Sequence, residues 1–123
     1  MSHSFRDLVA WQRGRILAVD VYNVTAAFPR TEMFGLANQM RRAAVSIASN
    51  IAEGQGRLTK GEFLQFLGHA RGSLLELETQ IEIAADLQYL NPGSREKLLS
   101  QVALVLKPLN GLMSSMRRAK LES

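Results

Sequence analysis

The chain has 123 residues, no cysteine, fifteen Lys and Arg against eleven Asp and Glu, and a formal net charge of +4. That length suits one domain spanning 1–123, able to bury roughly two-thirds of the surface its unfolded chain exposes, so neither a disulfide nor a structural metal is needed to hold it. The missing thiols exclude disulfides, thiolate catalysis and Cys-ligated zinc, while the positive balance, mostly Arg, favours phosphate or carboxylate partners without specifying a fold.

The apolar period is helical from the start. Ala10, Gly14, Leu17, Val21, Val24 and Phe28 recur at threes and fours, and Trp11, Ala18 and Tyr22 widen that face. A first helix is predicted over about 6–28, stopped because Pro29 drives Phe28 out of the helical region. Val9 and Ile16 fall on its polar side, either as isolated exposed aliphatics or as a patch for a partner subunit.

A second helix is predicted over about 32–53, with Leu36, Met40, Ala44, Ile47 and Ile51 as its stripe. Ala43, Ala44, Ala48 and Ala52 add small residues that allow a close neighbour. Gly54 is read as a left-handed residue just past the helix end, and Gly56 as the reversal before the next element.

The third helix, about 60–89, opens with Thr59-Lys60-Gly61-Glu62, a capping box. Phe63, Phe66, Leu67, Ala70, Leu74, Leu77, Ile81 and Ala84 line one face. The fourth, about 92–120, opens with the cap-and-proline pair Asn91-Pro92. Leu98, Val102, Val105, Leu109, Leu112 and Met116 carry its stripe, and Pro108 is expected to bend it. No stretch alternates at period two. Short connections between long helices give antiparallel neighbours, so the predicted fold is all-α, an up-down-up-down four-helix bundle.

No apolar run approaches the roughly 20 residues of a membrane span. The opening MSHSFRDLVAWQR lacks a signal-peptide pattern, and the expectation is a cytoplasmic protein without a membrane partner.

Chemistry finds little footing. His3 and His69 are the two histidines, and neither follows a Glu by three as a di-iron bundle requires. No zinc-ligand cluster is present. Ser46, Ser49 and Ser73 have His69 as their one candidate base, which leaves a hydrolase built on Ser73 and His69 as a distant reading. Gly54-Gln55-Gly56-Arg57 lacks the strand before it and the Lys-Ser/Thr of a P-loop. No catalytic residue, metal or cofactor is expected.

A polar line remains on the second helix. Gln39, Arg42, Ser46, Ser49, Asn50 and Glu53 lie on one side, away from the apolar stripe. Gln65, His69, Ser73, Glu76 and Gln80 make a comparable line on the third helix. Pairing the two helices about residues 54–58 brings Arg42 and Gln39 level with Ser73 and Glu76, and an Arg42–Glu76 ion pair beside Ser73 is expected. Gln39, Ser46, Asn50, Glu53, Ser73 and Glu76 therefore form a candidate polar seam or subunit contact, with a solvated face and a phosphate contact as the other readings. Glu76, Glu78, Glu82 and Asp86 make the later half of the third helix acidic. Arg41, Arg42, Arg57, Lys60, Arg117, Arg118 and Lys120 are the candidate nucleic-acid contacts.

Three strings in order, FRDLVAWQR, VYNVTAAFPRTEMFGLANQMRRAAVSIASNIAEGQGR and EFLQFLGHARGSLLELETQIEIA, resemble the four-helix-bundle family named after the protein encoded in intervening sequences of bacterial 23S rRNA genes. The resemblance spans residues 5–90 and rests most on RRAAVSIASNIAEGQGR; Arg41, Arg42, Ser46, Asn50, Glu53, Gly54, Arg57, Ser73 and Glu76 match its signature. It implies the same bundle in a small cytosolic bacterial protein. It assigns none of these residues a catalytic role. The accessory proteins of diversity-generating retroelements are similar in fold, and by that likeness the chain is expected to form a ring, a homopentamer, with a basic surface for RNA or DNA. The alternative is an adaptor ring that holds a protein partner and no nucleic acid. Pro108 is the departure that bears on ring geometry.

Overall fold

A computed structural model describes residues 4–122. Four helices follow one another: α1 (Val9–Thr25), α2 (Leu36–Gln55), α3 (Lys60–Asp86) and α4 (Pro92–Glu122). There is no strand among the described residues. Each helix packs on its chain neighbours, and α4 closes the square against α1, which leaves α1/α3 and α2/α4 on the diagonals.

The contacts run in opposite order along each pair of chain-neighbouring helices, so these pairs are antiparallel. Between α2 and α3, Gly54 meets Phe63 while Ser46 meets Ser73. Between α3 and α4, Glu82 meets Arg95, Arg71 meets Asn110, and Gly61 meets Lys120. Between α1 and α2, Gly14 lies against Ile47 and Ala48, while Thr25 meets Arg41.

The stripes read from the sequence make one continuous core. Leu17 and Val21 of α1, Met40, Ile47 and Ile51 of α2, Leu67, Leu74, Leu77 and Ile81 of α3, and Leu98, Val105 and Leu109 of α4 are all fully buried. Where α4 leaves the centre the stripe shifts: Met113 takes the buried position, and Leu112 and Met116 pack at the margin. The helix continues through Pro108 as a single element.

The helix ends depart from the sequence reading for local reasons. Ser4 caps a separate 3-10 turn, Phe5–Asp7, by accepting from the Arg6 amide at 3.1 Å. Leu8 is extended, so α1 starts at Val9 rather than near residue 6. At its far end α1 stops at Thr25, and Phe28 turns inward, buried against Tyr89 with ring centroids 5.4 Å apart. Residues 30–32 form another 3-10 turn, and α2 begins at Leu36, where the Glu32 carboxylate accepts from the Leu36 amide at 3.0 Å. The same carboxylate accepts from the Tyr89 hydroxyl at 3.0 Å, which ties this connection to the end of α3 and raises the Tyr89 pKa, first through that hydrogen bond.

Gly54 is not a left-handed terminator. It lies inside α2, buried, and no glycine among the described residues has positive φ. A Cβ there would stand 2.8 Å from the Phe63 ring and 2.9 Å from Phe66 Cβ. The residue is glycine because α3 crosses against it, and close approach, not turn geometry, sets the choice. The left-handed position falls instead on Gln88, with φ 63°. The Tyr89 amide donates to the Ala84 carbonyl and the Gln88 amide to the Ala85 carbonyl, both at 2.9 Å. That pair is a Schellman closure, and it ends α3 three residues before the sequence reading does.

Both predicted caps are present. Thr59 Oγ1 accepts from the Glu62 amide at 3.1 Å, and its hydroxyl donates to Glu62 Oε1 at 3.1 Å. Asn91 Oδ1 accepts from the Ser94 amide at 2.7 Å.

Candidate polar seam and basic end

The two polar lines meet, but only in part. Ser46 Oγ and Ser73 Oγ lie 2.9 Å apart across α2 and α3. One turn on, Asn50 Nδ2 donates to the Ser46 carbonyl at 2.8 Å and to Ser46 Oγ at 2.9 Å. These three side chains are half-buried, and each bond removes a polar group that would otherwise be desolvated unpaired. The rest of the α2 line diverges. Glu53 is exposed and pairs with Arg57 at 3.9 Å along the chain. Ser49 turns away toward α1, into a shallow groove with Trp11, Ala18 and Val45.

Beyond the serine pair the seam opens into a cleft of about 380 Å³, whose lining includes Asn38, Gln39, Arg42 and Glu76. Arg42 and Glu76 come level here as the sequence places them, yet they form no ion pair within 4.0 Å. Glu76 bonds along its own helix instead. The Gln80 Nε2 donates to Glu76 Oε2 at 3.2 Å. Read as part of an exposed polar line, Gln80 is in fact buried, with 6% exposure, and its Oε1 has no partner.

The expected nucleic-acid contacts separate into two places. Arg41 closes α1: its Nε donates to Thr25 Oγ1 at 2.8 Å, its guanidinium reaches the Tyr22 carbonyl at 3.5 Å, and it lies 4.8 Å from the Tyr22 ring centroid. A cation at a helix C-terminus neutralises the negative end of the dipole. Arg42 faces the cleft. The other five gather at the opposite end of the bundle. Arg57 follows α2, Lys60 opens α3, and Arg117, Arg118 and Lys120 occupy the last turns of α4. Lys120 Nζ would stand 3.7 Å from a Cβ at Gly61, which shows how closely these termini converge.

Two neighbours of this end escaped the sequence reading. Arg71 joins Arg117 in a groove of about 350 Å³ between α3 and α4, donating to Asn110 Oδ1 at 3.3 Å. Phe66 is covered by the Arg57 guanidinium at 4.5 Å from its centroid, with His69 on it at 5.8 Å. Arg71 was detectable as a lone Arg one turn from Gly68 on the α4 side of α3; Phe66 was absorbed into the apolar stripe. At the acidic end, Arg95 holds Glu82 through bonds of 2.6 and 2.9 Å, which lowers the Glu82 pKa through the hydrogen bond first.

Ser73 therefore bonds Ser46, while exposed His69 packs on Phe66. Among the described residues no group of three or more His, Asp or Glu is placed to hold a metal ion. No helix among them is long and apolar enough to cross a membrane.

These features define an all-α four-helix bundle with a polar seam between its central helices and a basic end. The family described as 23S rRNA-intervening sequence protein matches residues 6–111, and the chain belongs to it. The match runs past Pro108 into α4, beyond the span that the sequence strings alone support. A crystal structure from Bacteroides thetaiotaomicron VPI-5482, described as a protein with unknown function from the S23 ribosomal protein family, is similar in fold. It superposes with a TM-score of 0.79 at 20% identity, over 86% of this chain and 96% of that one. No curated protein matches this chain.

Proposed function

We propose that this chain is a non-enzymatic, cytoplasmic, homo-oligomeric bundle that binds RNA or DNA through its basic end. The observation that carries the reading is the convergence of Arg57, Lys60, Arg117, Arg118 and Lys120 from three chain segments onto one end, with Arg71 and Arg117 in the adjoining groove. Glu53 and Glu62 lie at the same end, the one 3.9 Å from Arg57 and the other accepting from the Thr59 hydroxyl, and these basic side chains outnumber them. Basic side chains gathered on one surface bind phosphates by releasing condensed counterions, so affinity falls steeply with salt.

Fluorescence anisotropy with labelled single- and double-stranded RNA and DNA tests this across a salt series. Each phosphate-contacting residue removed among Arg117, Arg118 and Lys120 should lower the salt slope by about one, whereas Arg41→Gln should leave it unchanged. No salt-sensitive binding at low salt to any of the four probes would remove the proposal.

The second reading is an adaptor ring with a protein partner. It is favoured by the apolar exposure on α1, where Val9, Ile16 and Val19 are 54%, 42% and 55% exposed. A ring of five copies is the assembly proposed for either reading, and native mass spectrometry should return five chain masses. Capture of one protein, insensitive to nuclease, would favour the adaptor.

A further inference from the structure

The cleft beside the serine pair is left unused by a basic-end function, and its chemistry is of another kind. Its polar lining comes from Asn38, Gln39, Arg42, Ser46, Ser73 and Glu76. One turn from the Ser46–Ser73 bond, a guanidinium on α2 and a carboxylate on α3 stand on facing walls and do not close on each other. Arg42, Asn38 and Gln39 make no side-chain hydrogen bond among the described residues.

The carboxylate has one partner on its own helix. Gln80, buried, spends its amide donor on Glu76 and leaves its own oxygen unpaired. An unpaired buried amide oxygen is destabilising, and the bond its amide makes instead is the one to Glu76. The serine pair is poised in a related way. Ser46 Oγ already accepts from Asn50, and one hydroxyl hydrogen serves the Ser46–Ser73 bond. One hydroxyl hydrogen of the two remains for a third acceptor.

We propose that this cleft binds a small amino-carboxylate zwitterion, with the carboxylate on the Arg42 fork and the ammonium on Glu76. Arg presents parallel donors that match a carboxylate in bidentate geometry. The spare serine hydrogen can donate to the same carboxylate, and the Asn38 and Gln39 amide oxygens can accept from the ammonium. The opposed charges also supply selectivity. A simple anion attracted to Arg42 meets Glu76, a simple cation attracted to Glu76 meets Arg42, and a phosphodiester is repelled at the same wall, so like-charge juxtaposition rejects each of them. Only a ligand with both charges satisfies both walls.

Ligand-observed saturation-transfer NMR on the full chain tests the site with glycine, β-alanine and γ-aminobutyrate, whose charges are spaced by successive methylenes. Acetate and methylammonium are the single-charge controls. At least one zwitterion should bind saturably, at least about tenfold tighter than either control, since each lost charge-assisted bond weakens binding by about that factor or more. Arg42→Gln and Glu76→Gln should each reduce affinity by a similar factor without changing thermal unfolding, because both side chains are exposed. Acetate binding as tightly as the zwitterions would overturn the proposal, as would indifference to Glu76→Gln or no saturable binding at millimolar concentration. A change of native mass in the cleft variants, without loss of ligand, would assign the cleft to contact between copies and also overturn it.

Discussion

Replacing Gly54 with alanine should destabilise the bundle, while the same exchange at Gly72 or Gly111 should stabilise it. Gly72 and Gly111 are helix-interior and Gly54 lies in the last turn of α2, and alanine gains up to about 0.5–1 kcal/mol at helical positions by restricting the unfolded chain. At Gly72 and Gly111 a Cβ meets nothing within 4 Å, so that gain stands alone. At Gly54 the Cβ would meet the Phe63 ring at 2.8 Å and Phe66 Cβ at 2.9 Å. A Cβ cannot move aside without its helix, so α3 must shift, and overpacking of this kind costs about 1–3 kcal/mol. The net loss at Gly54 is then about 0–2.5 kcal/mol, against a gain at the other two sites. Urea unfolding at one fixed protein concentration reads this directly as a shift in midpoint at constant slope. A Gly54→Ala midpoint that rises as far as that of Gly72→Ala would refute the close-approach account of α2 against α3.

Further outcomes follow from single contacts. Ser46→Ala and Ser73→Ala in a double-mutant cycle should show a coupling of about 0.5–1.5 kcal/mol; a coupling of zero would mean the 2.9 Å contact carries no net stability. Gln88→Gly should stabilise by about 1 kcal/mol, because glycine adopts the φ of 63° without the left-handed penalty; thermal unfolding checks it. Glu82 has a folded-state pKa below its ordinary value, so its bond to Arg95 contributes stability above the glutamate range that is lost as pH falls through it. Arg95→Gln should therefore flatten the fall in stability below about pH 4.3, the ordinary glutamate value, and an unchanged acid limb in unfolding titrations would contradict the assignment.

Most of the architecture was legible because it depends on period and on punctuation. The apolar residues Leu17, Val21, Met40, Ile47, Leu74 and Leu98 recur at helical spacing and are buried. Thr59 and Asn91 cap the helices they precede, since a cap requires only a side-chain oxygen at the right offset. The family was legible for a similar reason: its signature string is local, and the match at residues 6–111 contains it.

What sequence could not supply are the facts that need two helices at once. Gly54 read alone is helix punctuation; only the position of Phe63 and Phe66 shows that it is a contact. Arg41 and Arg42 read as a basic pair, yet adjacent helix positions point about 100° apart, and α1 takes one while the cleft takes the other. Arg42 and Glu76 come level by counting, yet they form no ion pair, and Glu76 bonds Gln80 of its own helix. The sequence by itself determined how many long helices there are, roughly where they run and which faces are apolar, because those follow from neighbours a few residues away. The tertiary structure alone decided which polar groups meet, since a hydrogen bond across two helices depends on axial register and rotation that no single helix encodes.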